Sequence, residues 1–298
     1  MNDDEIGRAA ALIRAGELVA FPTETVYGLG ANALDPSAIE KIYEAKGRPP
    51  SSPLIVHVSS IEMAQELVRE WPERAEKLAR IFWPGPLTLV LPKKTHVSDR
   101  LTAGLDTVGI RMPANPIAQE LIRESGVPIA APSANMFGEL SPTTARHVRD
   151  ALGARVAMVL DGGRTTVGIE STVLSLVGPS AVLLRPGMVT QQEIEVVIGP
   201  LQALRAKPTD AHPSPGLHAR HYSPKTPLIL VEPGQLPSTG HGVCLQMPAD
   251  PPAYAAVLYE RLHEADAQGW DWIAIEQPPS DPEWAAIRDR LERAAAIR

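Results

Sequence analysis

A chain of 298 residues holds material for one large domain or two of ordinary size, and 44% hydrophobic with 21% charged residues is the composition of a globular protein with a real core. The net charge of −7 argues against a protein whose main task is to hold nucleic acid, since such domains are usually basic. No apolar run reaches the length of a membrane span, and a single cysteine, Cys244, excludes an internal disulfide or a cysteine-cluster metal site and fits a reducing cytoplasm. The acidic excess is uneven: residues 208–298 carry 12 acidic against 7 basic side chains, so the part before them is nearly neutral and can hold a local basic groove.

In chain order, MNDDEIGRAAALIRAGE reads as an amphipathic helix with acidic residues in its first turn, and not as a secretory leader. Short β-like runs then alternate with helical patterns. ELVAF (17–21), PLIVHV (53–58), LTLVLP (87–92), TVGIRM (107–112), VPIAAP (127–132), VAMVLD (156–161), STVLSL (171–176) and AVLLRP (181–186) read as strands. DPSAIEKIYEAK (35–46), PERAEKLARIFW (72–83), NPIAQELIRESG (115–126) and SPTTARHVRDALG (141–153) read as helices, each with Pro, Asn or Ser near its start. This alternation predicts a twisted open α/β sheet with helical layers. Strands that follow one another without a helix make the sheet mixed. Residues 203–227 hold five prolines and little apolar periodicity and read as an extended linker. A second, small α/β pattern follows: LILVE, GVCLQM, a helix near 252–268, WDWIAIEQ and a helix near 282–297. The expected domains are therefore 1–202, a proline-rich linker at 203–227, and 228–298, the last too small to stand without leaning on the first.

Familiar nucleotide signatures are missing. There is no G-x-x-x-x-G-K-[ST] loop, and Gly28-Leu29-Gly30 lacks the third glycine of a dinucleotide fingerprint and reads better as a turn after a strand. His218 and His221 could be called a metal pair, but no ligand at suitable spacing accompanies them. What the chain does show is polar and cationic residues at strand ends. Thr23-Glu24-Thr25 sits in a Pro/Gly-bounded turn. Lys46-Gly47-Arg48 ends a helix ahead of a stiff Pro-Pro-Ser-Ser-Pro loop that includes Ser52; such cations can be mere dipole partners, or can clamp a polyphosphate. His57 ends a buried strand and is by itself more often a core histidine than a ligand contact. Ala131, Ser133 and Asn135 leave room at a sheet edge, and Ser141 could simply cap the next helix. Thr107 and Arg111 share a strand, Glu170-Ser171-Thr172 precedes another, and Arg185-Pro186-Gly187 closes a hairpin-like pair. An Arg at the end of an apolar strand needs a partner, because burying it unpaired is unfavourable. Lys, Arg, Ser and Thr without a nucleophile–His–Asp set or a carboxylate pair suit positioning and charge neutralisation, the needs of a phosphate or nucleotide ligand.

FPTETVYGLGANA (21–33), KGRPPSSPLIVHV (46–58), FWPGPLTLVL (82–91), VGIRMP (108–113), PIAAPSAN (128–135), ESTV (170–173) and LLRPG (183–187), together and in this order, resemble the YrdC-like family, specifically its long two-domain L-threonylcarbamoyladenylate synthases. SPGLHARHYSPKTPL (214–228) resembles the linker of that long form, and the tail resembles its C-terminal domain more weakly, being shorter before the last helix. The resemblance implies a Rossmann-like C-terminal domain. It also implies conversion of L-threonine, bicarbonate and ATP into threonylcarbamoyl-AMP and pyrophosphate, for threonylcarbamoyladenosine modification of tRNA by a partner transferase complex, with possible tRNA contact. By the same resemblance Lys46, Arg48, Ser52, Thr107, Ser133, Asn135, Ser141, Arg185 and Tyr222 contact the nucleotide, with Lys46 and Arg48 catalytic. Thr25, His57, Arg111, Ala131 and Ser171 hold threonine. No resident metal is implied; Mg²⁺ is expected on the ATP phosphates, and the linker would close over the nucleotide. Two other readings compete. A double-stranded RNA or tRNA binding module without catalysis sits badly with the acidic balance. A carbamoyl-transfer enzyme of the hydrogenase-maturation type would call for cysteine-rich zinc modules.

Overall fold

The computed structural model describes residues 3–202 and 222–295. His218, His221 and most of the expected linker lie outside the described residues.

Helix α1 (Asp3–Arg14) precedes the antiparallel pair β1 (Val19–Phe21) and β2 (Gly28–Asn32). Then come α2 (Pro36–Lys46), β3 (Ile55–His57), α3 (Ile61–Leu67), α4 (Glu73–Phe82), β4 (Leu87–Pro92), the one-turn α5 (Asp99–Thr102) and β5 (Thr107–Arg111). The unit closes with α6 (Pro116–Ser125), β6 (Ile129–Ala130), α7 (Ala145–Leu152), β7 (Met158–Val159), the hairpin β8 (Thr172–Ser175) and β9 (Val182–Arg185), and α8 (Gln191–Ile198). Nine strands form one sheet in the order β7-β1-β2-β6-β3-β5-β4-β8-β9. It is mixed, as expected: β1/β7, β3/β5 and β4/β8 are parallel pairs and the others antiparallel.

The two faces of the sheet separate by the alternation of a strand. Ala20, Leu29, Ala31 and Val56 join Ile39 and Ile42 of α2 in the main core. Val19, Phe21 and Ile129 face the other way, onto Ile13 of α1 and Leu121 and Ile122 of α6. The stretch Gly28-Leu29-Gly30 is not the turn its composition suggests; it is strand β2. A Cβ on Gly30 would come within 2.7 Å of Phe21 Cε1 and 2.9 Å of Ile129 Cγ2, so the glycine lets the Phe21 ring lie across the strand.

After residue 222 come β10 (Leu228–Val231), β11 (Gly242–Cys244), α9 (Pro251–Asp266), β12 (Trp272–Glu276) and α10 (Ala285–Ala295). The three strands make a parallel sheet in the order β10-β12-β11. Its core is continuous with part of the larger unit: Val26, Leu140 and Ile169 pack with Tyr222, Tyr254, Leu258, Tyr259 and Ile287. Gly168, at φ 81°, makes the close approach possible. A Cβ there would lie 2.3 Å from the Ala255 carbonyl oxygen of α9.

Candidate active site

The site is assembled from strand ends. β3 and β5 run parallel with His57 opposite Arg111, and Ala131 follows β6, its N–H donating to the Ile55 carbonyl at 2.9 Å. In the β8/β9 hairpin Val173 pairs with Arg185, so Ser171, just ahead of β8, lies against the Arg185 guanidinium. Arg185 Nε and Nη2 donate to the Ser171 carbonyl at 3.1 and 3.0 Å, and Nη2 also reaches Ser171 Oγ at 3.2 Å. The loop between β1 and β2 adds Thr23 and Thr25, whose hydroxyls lie 2.8 Å apart. These ends, with the turn after α2, surround an open cavity. Nine of the residues singled out from the sequence line it: Thr25, Arg48, His57, Arg111, Ala131, Ser133, Ser171, Arg185 and Tyr222.

The other five stand back from that wall. Lys46, at the end of α2, is buried and donates to the carbonyls of Ser133 at 2.6 Å and Asn135 at 2.5 Å, bracing the loop whose Ser133 faces the cavity. Asn135 donates to the carbonyls of Met136 and Glu139 at 3.0 and 2.8 Å. Ser52 is buried, with its carbonyl accepting from Tyr43 Oη at 3.1 Å. Thr107 begins β5 while Arg111 ends it, about 13 Å away at strand spacing. Ser141 does not cap α7, although its position suggests a cap; Thr144 does, accepting from the His147 N–H. Ser141 Oγ instead donates to Glu170 Oε1 at 2.5 Å.

The electrostatics follow from burial. Desolvation, with Arg48 adding to it, holds the Lys46 ammonium well below its usual pKa. Burial also pulls Arg48 down to about 10. Burial and then Arg111 push His57 down to about 3, so its imidazole is neutral at physiological pH. Arg111 is not an unpaired cation. Its Nη2 lies 2.7 Å from Glu24 Oε1, an ion pair off the hydrogen-bonding angle, with both side chains at most 8% exposed. Nη1 donates to Thr25 Oγ1 at 2.9 Å and Nε to the Gly85 carbonyl at 3.2 Å. Glu24 Oε2 in turn accepts from the Ala114 N–H at 3.0 Å. Among the described residues, the buried His57 Nδ1 in the cavity wall has no hydrogen-bond partner, the kind of group a ligand satisfies; Asn135 Oδ1, Thr165 Oγ1 and Tyr254 Oη are also unpartnered but do not line the cavity.

Sequence reasoning missed several contributors. Glu24 stood in a quoted motif without a role. Thr88 Oγ1, 2.8 Å from Ser171 Oγ, gave no signal beyond a threonine in a strand. Glu170 lines the cavity and is held from the C-terminal sheet's side: Tyr259 Oη and Arg290 Nε donate to its Oε2 at 3.1 and 2.8 Å. Burial works to raise its carboxyl, but Arg290, Arg185 and the Ser141 hydroxyl outweigh it and keep the group below the ordinary carboxylate value. Tyr222, the described end of the expected linker, is buried at φ 63°, a left-handed backbone that L residues adopt only when the surroundings hold them there. Its Oη accepts from Arg185 Nη1 at 3.4 Å.

A mixed α/β sheet whose strand ends, with the turn after α2, bring three arginines, several hydroxyls and a neutral histidine onto one cavity makes a site suited to an anionic ligand. Residues 11–187 match the Sua5_yciO_yrdC family model, described as "Telomere recombination", and residues 189–296 match "Threonylcarbamoyl-AMP synthase, C-terminal domain". The chain is 45% identical to the threonylcarbamoyl-AMP synthase of Bacillus subtilis over an alignment covering 100% of this chain and 94% of that one. It is 54% identical to the Pyrococcus abyssi threonylcarbamoyl-AMP synthase over 75% of this chain and 67% of that one. The crystal structure of P. abyssi Sua5 complexed with L-threonine superposes with a TM-score of 0.92 at 41% identity, covering 99% of this chain and 95% of that chain. The chain belongs to the YrdC-like family, in the long two-domain form of the threonylcarbamoyl-AMP synthases.

Proposed function

We propose that this enzyme condenses L-threonine, bicarbonate and ATP into threonylcarbamoyl-AMP and pyrophosphate, for threonylcarbamoyladenosine modification of tRNA. The observation that carries the reading is the convergence of Arg48, Arg111 and Arg185 with Thr25, Ser133, Ser171 and neutral His57 on one cavity. Arg111, already oriented by Glu24 and Thr25, offers a fixed fork to the threonine carboxylate. Thr25, His57, Ala131 and Ser171 complete the threonine side. The nucleotide lies toward Arg48, Ser133, Arg185 and Tyr222, with Ser52, Thr107, Asn135 and Ser141 around them and Lys46 stabilising the loop beneath.

The chemistry is a nucleotidyl transfer. Threonine's amine takes up carbon dioxide as a carbamate; a carbamate oxygen attacks the α-phosphorus in line and pyrophosphate leaves. The protein supplies no covalent nucleophile. It aligns the two reactants and neutralises charge that builds on the leaving group through Arg48, while Lys46 acts through the Ser133 loop that it braces. Glu24 and Glu170 are engaged by Arg111 and Arg290, so Mg²⁺ belongs to this reading as a companion of the triphosphate and not as a resident ion. The division into 1–202, 203–227 and 228–298, a cytoplasmic setting and a downstream transferase acting on the product are part of the same proposal.

The test is product identity. With ¹³C-bicarbonate, L-threonine and MgATP, mass spectrometry should find labelled threonylcarbamoyl-AMP. Absence of labelled threonylcarbamoyl-AMP would overturn the reading, and steeply salt-dependent RNA affinity without ATP turnover would favour an RNA-binding module.

A further inference from the structure

Among the described residues Arg290 is the largest side chain buried outright, at 0% exposure, and it lies on α10, 120 residues from the carboxylate it contacts. Its contacts are unusual in where they fall. Nε donates to Glu170 Oε2 at 2.8 Å and Nη2 to the Glu170 carbonyl at 3.2 Å. Nη1 donates to the Pro186 carbonyl at 3.1 Å. Glu170 is the residue before Ser171, and Pro186 the residue after Arg185. The guanidinium also stacks 5.3 Å above the Tyr222 ring. One side chain thus touches the chain beside, or the ring of, three residues that line the cavity. Asp289 Oδ2, 2.7 Å from Nη1, adds a second carboxylate.

Glu170 extends this hold to the residues behind the wall. Its Oε1 accepts from Ser141 Oγ and its Oε2 from Tyr259 Oη of α9. An ion pair this deeply buried is weak support for stability, because desolvation opposes the attraction and an apolar pair of the same volume often serves as well. What it does provide is geometry: a planar fork with fixed donor directions fixes two strand ends relative to each other more tightly than apolar packing would.

We infer that Arg290, with Tyr259, is a positioning residue for the reaction: the C-terminal sheet and its helices form part of the adenylation site by fixing Glu170, and through it Ser171, Arg185 and Ser141. This rests on the proposed function. The segment after residue 222 is thereby more than a surface for partners or a packing cap.

The experiment compares the full chain with Tyr259→Phe, Arg290→Lys and Arg290→Met. Each is followed by thermal melting, by pyrophosphate release as kcat and KM for threonine and ATP, and by hydrogen exchange in peptides spanning 169–175 and 182–190. Tyr259→Phe removes one hydroxyl contact and keeps the ring, so it folds whatever happens to the arginine variants. It should lower kcat/KM about 3- to 10-fold, with the KM for threonine rising and exchange quickening in both peptides. Arg290→Met should lose about 100-fold, and Arg290→Lys should recover part of that. Parent kinetic constants in a folded Arg290→Met, or in Tyr259→Phe if Arg290→Met does not fold, would reduce the pair to cement between two units and overturn the inference, whatever the melting temperature does. If the parent itself releases no pyrophosphate, the functional reading fails and exchange alone decides: quickened exchange upholds the positioning role, unchanged exchange ends it.

Discussion

The two sheets contribute to one site in opposite ways. The nine-stranded sheet supplies nearly everything that faces the cavity, and its contributors sit within a few residues of readable motifs. The three-stranded sheet and its helices supply no lining side chain among the described residues, yet Arg290 and Tyr259 reach the backs of Glu170, Pro186 and Tyr222. A pocket of charged groups needs both a wall and something to hold the wall. Buried guanidiniums in this protein do both jobs: Arg111 faces inward, anchored by Glu24, and Arg290 holds from outside.

The contrast can be broken first at its inner end. Glu24→Ala leaves Arg111 buried without its carboxylate, which should cost about 3–5 kcal/mol of stability; a denaturant midpoint unchanged from the parent would show that the pair matters little to folding. Next in size, Arg48→Ala should cut turnover by about 10²-fold, the scale of one lost charge-stabilising group, and Lys46→Ala should lower it too, by releasing the Ser133 loop. Near-normal pyrophosphate release in both would remove the phosphate-side assignment. Gly30→Ala probes the wall itself. Phe21 and Ile129 must shift to admit the methyl, and overpacking of this kind costs about 1–3 kcal/mol, read as a lower melting temperature.

The smallest effect tests the seam between the two units. His147 of α7 and His263 of α9 stack with ring centroids 3.9 Å apart. His263 Nε2 lies 3.1 Å from the Ser141 carbonyl. Burial, and then His263, lower His147 to about 4; burial also lowers His263, while its hydrogen bond to the Ser141 carbonyl, then Asp266 and Asp150, pull the other way. Both imidazoles are therefore neutral when docked. Depressed histidines give stability that is complete above the ordinary value of 6.5 and is lost as pH falls towards about 4, because the separated or unfolded chain binds more protons in that window. Thermal melts should drop between pH 7 and pH 5, and His147→Phe should flatten that slope; a flat profile in the parent would contradict it.

What the sequence disclosed follows from the range of the forces involved. α2 and α6 were legible because their signals are local: Asp35 and Asn115 cap them, a proline follows each cap, and Gly47 and Gly126 end them in the left-handed conformation. β2 was not, since its glycines serve Phe21, seven and nine residues back, rather than their own propensity. α8 carried a readable capping box, Thr190 with Glu193, which its short length concealed. The lining residues were found through the ordered family motifs more than through physics, because Lys46-Gly47-Arg48 alone reads equally well as a helix end. Glu24 with Arg111, and Glu170 with Arg290, lie far apart in sequence, and nothing local marks such pairs before the chain has folded. The same distance explains Ser141, whose position suggested a cap and whose hydroxyl answers to Glu170.

The most direct test of the central claim is pyrophosphate release by the full chain, with threonine and bicarbonate each supplied or withheld. The account predicts release from MgATP only when both are present, since the attacking oxygen belongs to their carbamate. Release with neither, or none under any combination, would contradict it.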